Sequence, residues 1–306
     1  MLQYLNILLD DASVSFCHYE SRREHKTIPI DILKQAIRFG MTENLMIQFV
    51  YPDSTLPKGY EEVIDSIDHF NIKPNEEIAD VMVIDKLAEI HTNKPVVLRI
   101  SKQELFAHTN DIISMFEHVP RLNVVIKDID DFTEDDFEQY KSFFDVASGK
   151  LGQMFIEGKA PQFNLLTDRM MLKEMNNCGA GDSTITLAPN GKFYICPAFY
   201  YENEDDNVGD LECGLDIKNK QLYKLNHAPI CRHCDAWQCK RCVWLNRKTT
   251  LEVNTPSHEQ CVVAHLERNA SRQLLQNIRK HGSFLPENED IPELDYLDPF
   301  DKREEW

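Results

Sequence analysis

The sequence predicts an α/β protein in which a parallel sheet, open or part of a barrel, is followed by a cysteine-rich metal-binding module. Two observations carry this. Strand-like and helix-like segments alternate through the first 160 residues, and eight of the nine cysteines lie between Cys178 and Cys261. Tyr4–Leu9 is a short apolar run suited to a buried strand. Pro29–Gly40 reads as a helix, with proline at its start and glycine at its end. Met46–Tyr51 is a second strand; further strands fit Val81–Ile84, Val96–Ile100 and Val124–Lys127. Helical periodicity returns at Leu105–Phe116, Glu134–Phe143 and Val262–Lys280. Such alternation argues for a parallel sheet. Only about five strand–helix units fit before residue 160, against the ~250 residues of a complete eight-unit barrel, so a partial barrel is expected.

The cysteine-free stretch between Cys17 and Cys178 sets the domain division. Residues 1–165 form the α/β domain, 166–282 the cysteine-rich domain with its following helix, and 283–306 an acidic tail. From Pro286 onward that tail carries nine carboxylates and two basic side chains. Its composition suits a loosely ordered segment, and Leu294, Leu297, Phe300 and Trp306 offer apolar docking points.

Across all 306 residues the formal charge is -18, from 51 acidic and 33 basic side chains. A surface of that sign repels phosphate backbones and anionic membranes, which argues against nucleic-acid and membrane partners. The first residues show no signal-peptide pattern, and no apolar run approaches the ~20 residues of a membrane span. A cytoplasmic protein is expected, where cysteines serve metals more readily than disulfides.

Seven cysteines are regularly arranged. Cys178 is followed by twelve residues, Gly191, four residues and Cys196; then come Cys231-x2-Cys234-x4-Cys239-x2-Cys242 and, eighteen residues on, Cys261. Thiolates are soft ligands that select zinc, copper(I) or iron–sulfur clusters. Zinc ribbons separate their two CxxC pairs by about 15–20 residues. Four residues make it hard for both pairs to close on one tetrahedral ion, and two sites with interleaved ligands fit better.

With Ala188–Pro197 and Val208-Gly209-Asp210, this arrangement resembles the SPASM domain of radical SAM peptide maturases over about residues 175–265. The resemblance implies two 4Fe–4S clusters, zinc being the alternative. It assigns Cys231, Cys234, Cys239 and Cys261 to one cluster, and Cys178, Cys196 and Cys242 to the other. The fourth ligand of the second cluster lies upstream of the first cysteine in that family, and no cysteine stands there. Cys213 is the candidate substitute, with a purely structural role as the alternative.

Radical SAM enzymes also carry a CxxxCxxC loop after their first strand. Here the register superposes Ser13, Cys17 and Glu20 on its three cysteines. A neutral hydroxyl and a hard carboxylate are poor ligands for a sulfide cluster. The glycine-rich stretch of the second strand is replaced by Val50-Tyr51-Pro52-Asp53. The resemblance therefore implies a partial, degenerate radical SAM-type (β/α) barrel followed by a SPASM-like domain, with S-adenosylmethionine not expected as cofactor. The segments Cys239–Asn246, Glu252–Ser257 and Glu259-Gln260-Cys261 are similar to the CXXX repeat peptide maturase family. That similarity implies a partner protein working with a separate radical SAM enzyme on a ribosomally made cysteine-repeat precursor peptide.

Two other functions stay open. One is an enzyme using a non-SAM mechanism, with Asp10, Asp11, His18 and Glu20 as candidate acid/base groups. The other is a zinc-stabilised peptide-binding module. The locally basic stretch of Arg232, His233, Lys240, Arg241, Arg247 and Lys248 suits either compensation of anionic sulfur or an acidic peptide. Trp237 and Trp244 are expected to shield the metal, and His233 to lie at the surface.

Overall fold

The computed structural model describes residues 2–282 except 23, 75–78, 88–89, 173 and 176–177. In chain order its main elements are β1 (Tyr4–Leu8), α1 (Ile30–Thr42), β2 (Met46–Val50), α2 (Tyr60–Ile64), β3 (Phe70–Pro74), β4 (Val81–Ile84), β5 (Val96–Ile100), α3 (Lys102–Ala107), α4 (Thr109–Ser114), β6 (Arg121–Ile126), α5 (Glu134–Ile156), β7 (Gln162–Phe163), α6 (Thr167–Met171), β8 (Thr184–Leu187), β9 (Phe193–Tyr194), α7 (Pro197–Glu202), α8 (Val243–Thr250) and α9 (His258–Arg279). They form two compact units, each built from two stretches of chain. One joins the chain up to Ile84 with Cys178–His227; the other joins Asp85–Asn177 with the chain from Ala228. The division near residue 165 marks a change in cysteine content, and the compact units interleave across it.

In the first unit the strand order is β4-β3-β2-β1-β8-β9. Strands β1 to β4 and β8 run parallel, and β9 turns back antiparallel on β8. The centre is β1, paired with β2 on one side (Ile7 opposite Phe49) and β8 on the other (Ile7 opposite Leu187). Parallel strands buried on both faces read as continuous apolar runs, and Leu5, Ile7 and Leu8 are fully buried. Helix α1 covers one face through Leu33, Ala36, Ile37 and Gly40, the i, i+3, i+4, i+7 stripe of an amphipathic helix. Gly40 lets α1 approach β2 closely: a Cβ there would stand 2.7 Å from Ile47 Cδ1, so that side chain would have to shift. Strand β3 was not foreseen. Its sequence Phe-Asn-Ile-Lys-Pro buries only Ile72 fully, and its pairing with β2 and β4 decides its conformation.

In the second unit β5, β6 and β7 are parallel, in the order β7-β6-β5. The expected single helix over Leu105–Phe116 is two, α3 and α4, broken at His108 (φ -116°, ψ 29°). The Thr109 hydroxyl donates to the carbonyls of Leu105 and Phe106 at the break, the back-bonding by which threonine competes with a helix. Helix α5 runs past Phe143 to Ile156, because Ala147, Leu151 and Met154 continue its buried stripe. It packs against α9. Among the described residues no helix is long and apolar enough to cross a membrane. The acidic tail and its apolar residues lie outside the described residues.

Candidate metal centre

The segment carrying the two CxxC pairs has little regular structure beyond a 3-10 turn at Cys231–His233. Side chains tie it to α9 instead. Gln238 donates to the Ala264 carbonyl at 2.7 Å and to Glu267 at 3.2 Å. Asp235, beside Cys234, accepts from Arg268 at 3.0 Å and lies 3.5 Å from Arg169, while its carbonyl accepts from Arg169 Nε at 2.9 Å. All three charges are nearly buried, so each depends on the others for compensation.

Helix α9 presents Cys261, Ala264, His265 and Arg268 at i, i+3, i+4, i+7 spacing, hence on one face. Its N-terminus is capped by the Ser257 hydroxyl, which accepts the Gln260 N–H. Cys231, Cys234, Cys239 and Cys261 thereby line one cavity. Every pair among the four sulfurs is close enough for their charges to interact. This is the foursome that the resemblance assigned to one cluster. Among the described residues no three His, Cys, Asp or Glu groups are arranged to hold a metal ion as they stand.

Burial raises all four thiols, Cys231 to about 11, so without a cation they hold their protons. Opposing contacts favour thiolates: Ala236 N–H on Cys234 Sγ at 3.4 Å, Arg241 N–H on Cys239 Sγ, and the buried Arg241 guanidinium near Cys231. Donor chemistry, cavity and N–H···S contacts together fit an iron–sulfur cluster. His265 places Nε2 3.6 Å from Cys234 Sγ and lines the same cavity. Sequence reasoning missed it, although its i+4 relation to Cys261 was available. Of the basic stretch, Arg241 faces the sulfurs; Lys240 and Lys248 pair with Asp168 and Asp130, and Arg232 and His233 are exposed, the latter as expected. The apolar lining comes from Met175, Ile230, Pro256 and Ala264 rather than from Trp237 or Trp244.

The first unit gathers other cysteines. Cys196 immediately precedes α7, and its Sγ accepts N–H groups of Ala198 and Phe199. Cys178 and Cys17 both lie within charge-interaction range of it. Cys17, which read as isolated in the sequence, is therefore near two members of the regular arrangement. Cys213 sits in a hairpin between Gly209–Asp210 and Gly214–Leu215, where its N–H at 2.7 Å and its thiol both donate to the Asp210 carboxylate. Cys242 is the residue before α8 in the other unit.

In the loop after β1, the Ser13 hydroxyl donates to the Val50 carbonyl at 2.7 Å and accepts the Asp10 N–H at 3.0 Å. Asp10 accepts from Thr27 and the Ala12 N–H. Asp11 accepts from the Tyr200 hydroxyl and faces Arg22 at 3.6 Å. Glu20 is exposed.

Set beside solved structures, the chain is similar to anSMEcpe, an anaerobic sulfatase-maturating enzyme. The polyhistidine-tagged form with bound AdoMet superposes with TM-score 0.61 at 13% identity, over 90% of this chain and 95% of that one. The native form with bound AdoMet and Cp18Cys peptide gives TM-score 0.65 at 12% identity, over 92% of this chain and 100% of that one. The fold is that of a radical SAM enzyme with a SPASM domain. No protein-family model and no curated protein sequence matches the chain. The loop that carries Ser13, Cys17 and Glu20 directly follows β1, the central parallel strand.

Proposed function

We propose that this chain is a cytoplasmic maturation protein of the radical SAM/SPASM type, close to the CXXX repeat peptide maturases, that acts with a separate radical SAM enzyme on a ribosomally made cysteine-repeat peptide. The observation that carries the reading is the enclosed foursome of Cys231, Cys234, Cys239 and Cys261, in a fold whose first-strand loop has Ser13 and Glu20 in place of thiolates. Those four cysteines would hold a 4Fe–4S cluster, which supplies one-electron transfer when bound. The protein's own contribution is to keep water away with Met175, Ile230 and Pro256, and to offset sulfur charge with Arg241 and backbone N–H groups.

The non-SAM enzyme reading gains less support. Asp10 and Asp11 spend their carboxylates on Thr27, Tyr200 and Arg22 within the loop, which accounts for their burial without catalysis. The test is anaerobic reconstitution followed by iron, zinc and sulfide quantitation and an S-adenosylmethionine cleavage assay. About eight irons and eight sulfides per chain, for two 4Fe–4S clusters, with no cleavage by the isolated chain, is the expected outcome. Zinc without sulfide would establish the binding-module reading instead, and cleavage of S-adenosylmethionine by this chain alone would end the partner reading.

A further inference from the structure

Helices α5 and α9 leave a groove between their C-terminal halves, inside one compact unit. The two helices run in the same direction. Phe137 lies beside His258 with ring centroids 6.3 Å apart, the Tyr140 hydroxyl donates to Glu267 at 2.8 Å, and Gly152 faces Leu274. Phe144, Gly149, Gly152, Ala270 and Ile278 make the apolar floor of the groove, and Ile156 at its edge is 52% exposed. The rim carries the carboxylates of Asp145 and Glu157, and no lysine or arginine among the described residues. Asp145 makes no ion pair among the described residues, whereas Glu157 meets Lys159 at 3.6 Å.

Two glycines make this space. A Cβ at Gly149 would meet nothing within 4 Å, and one at Gly152 would meet Leu274 Cδ1 at 3.6 Å, an ordinary contact. Helix packing therefore imposes neither, unlike Gly40, where a Cβ would press on Ile47. Glycine weakens a helix interior relative to alanine, and α9 gives nothing back for it here. The missing side chains leave room for bulky groups that come from outside the two helices. Such groups are at hand in the chain itself. His281 lines the far end of the groove, and residues 283–306 follow directly after it and Gly282. At up to ~3.3–3.6 Å per residue, the chain between Gly282 and Phe300 reaches well beyond the ~16 Å from Asp145 to Ile156 along α5.

We propose that the groove between α5 and α9 is the docking site of the chain's own C-terminal segment, residues 300–306. Its sequence, Phe-Asp-Lys-Arg-Glu-Glu-Trp, holds two aromatic side chains and both basic residues of the tail. Phe300 and Trp306 match the apolar floor over Gly149 and Gly152, and Lys302 and Arg303 match Asp145 and Glu157 on the rim. Asp301, Glu304 and Glu305 leave the segment without net positive charge. The aromatic anchors therefore supply the attraction, and the two cations set the orientation. A tethered segment meets its site at an effective concentration of up to ~mM, so a weak contact suffices to fill the groove. The inference does not depend on any metal in the chain.

The test is hydrogen–deuterium exchange of the full chain, read by mass spectrometry, in wild type, Gly149→Leu, Ile156→Glu and Trp306→Ser. In wild type the amides of residues 300–306 should exchange about tenfold more slowly than those of an unstructured peptide of the same sequence. Each variant should return them to the peptide rate while α5 and α9 keep their protection. Gly149 and Ile156 are exposed, which favours intact folding of those two variants; Trp306→Ser leaves both helices unaltered. Carbodiimide coupling of a mixture of unlabelled and ¹⁵N-labelled chains should join Lys302 to Asp145 or Glu157 of the same chain. Wild-type exchange at the peptide rate would overturn the proposal. So would protection that survives Gly149→Leu and Ile156→Glu, which would put the segment elsewhere. Coupling found only between chains of different label would overturn it too, marking the groove as a contact between two copies.

Discussion

His265 shows how one side chain sets the properties of a site it need not ligate. Its Nε2 lies 3.6 Å from Cys234 Sγ, one helical turn beyond Cys261. A donor aimed at a thiolate sulfur stabilises the more negative, reduced cluster and so raises its reduction potential. His265→Leu should lower the potential of that cluster without lowering iron content; potentiometric titration followed by electron paramagnetic resonance reads both. An unchanged potential would remove His265 from the site. Position 13 gives the opposite lesson. The sequence register sets Ser13 at a thiolate position of the radical SAM loop, and two backbone groups occupy its hydroxyl. That this hydroxyl had become part of the loop's own framework depended on Val50, 37 residues away.

At the scale of elements, local capping chemistry is the clearest sequence signal. Helix α3 carries a reciprocal capping box: the Ser101 hydroxyl accepts the Glu104 N–H, and the Glu104 carboxylate accepts the Ser101 N–H at 2.8 Å. The Ser101 backbone N–H is the main reason Glu104 titrates below the ordinary glutamate value, against an opposing effect of burial. A depressed carboxyl contributes stability above its unfolded-state pKa, and that contribution is lost as pH falls through the folded-state value. Glu104→Gln should therefore cost about 0.5–1 kcal/mol at neutral pH, a figure kept small by solvent screening. Below about pH 4 its urea midpoint should converge on that of wild type. A gap that persists undiminished at acid pH would show that charge is not what holds the cap. Element ends were less legible. Helix α5 continues thirteen residues beyond Phe143 because Ala147, Leu151 and Met154 find partners to pack on, and Gly149 and Gly152 in that stretch argue locally for an earlier stop.

For the molecule as a whole, the two kinds of structure would respond differently to the loss of the proposed cluster. The sheet around β1, with Leu5, Ile7, Phe49, Ile185 and Leu187 in its core, is held by apolar burial and strand-to-strand hydrogen bonds. The chain from Ala228 to Ser257 has one short helix, a 3-10 turn and three of the four clustered cysteines, the fourth being Cys261 in α9. A group that binds only the folded state adds its binding free energy to stability, and here that gain falls on this stretch. Removing iron by oxidation and chelation should leave far-UV circular dichroism largely intact, while proteolysis between 228 and 257 accelerates several-fold. Loss of most helical signal on iron removal would contradict this division.

Read alone, the sequence determined the α/β alternation and the main strands and helices, and it set seven cysteines at regular spacings. Each of these is written in periodicity, capping residues or short spacings, which act between near neighbours in the chain. Tertiary structure alone decided that β8 lies beside β1 and that α7 grips the loop after β1. Contacts between residues more than 150 positions apart leave no local pattern, because they follow from how buried faces and hydrogen-bonding edges are matched across the whole fold.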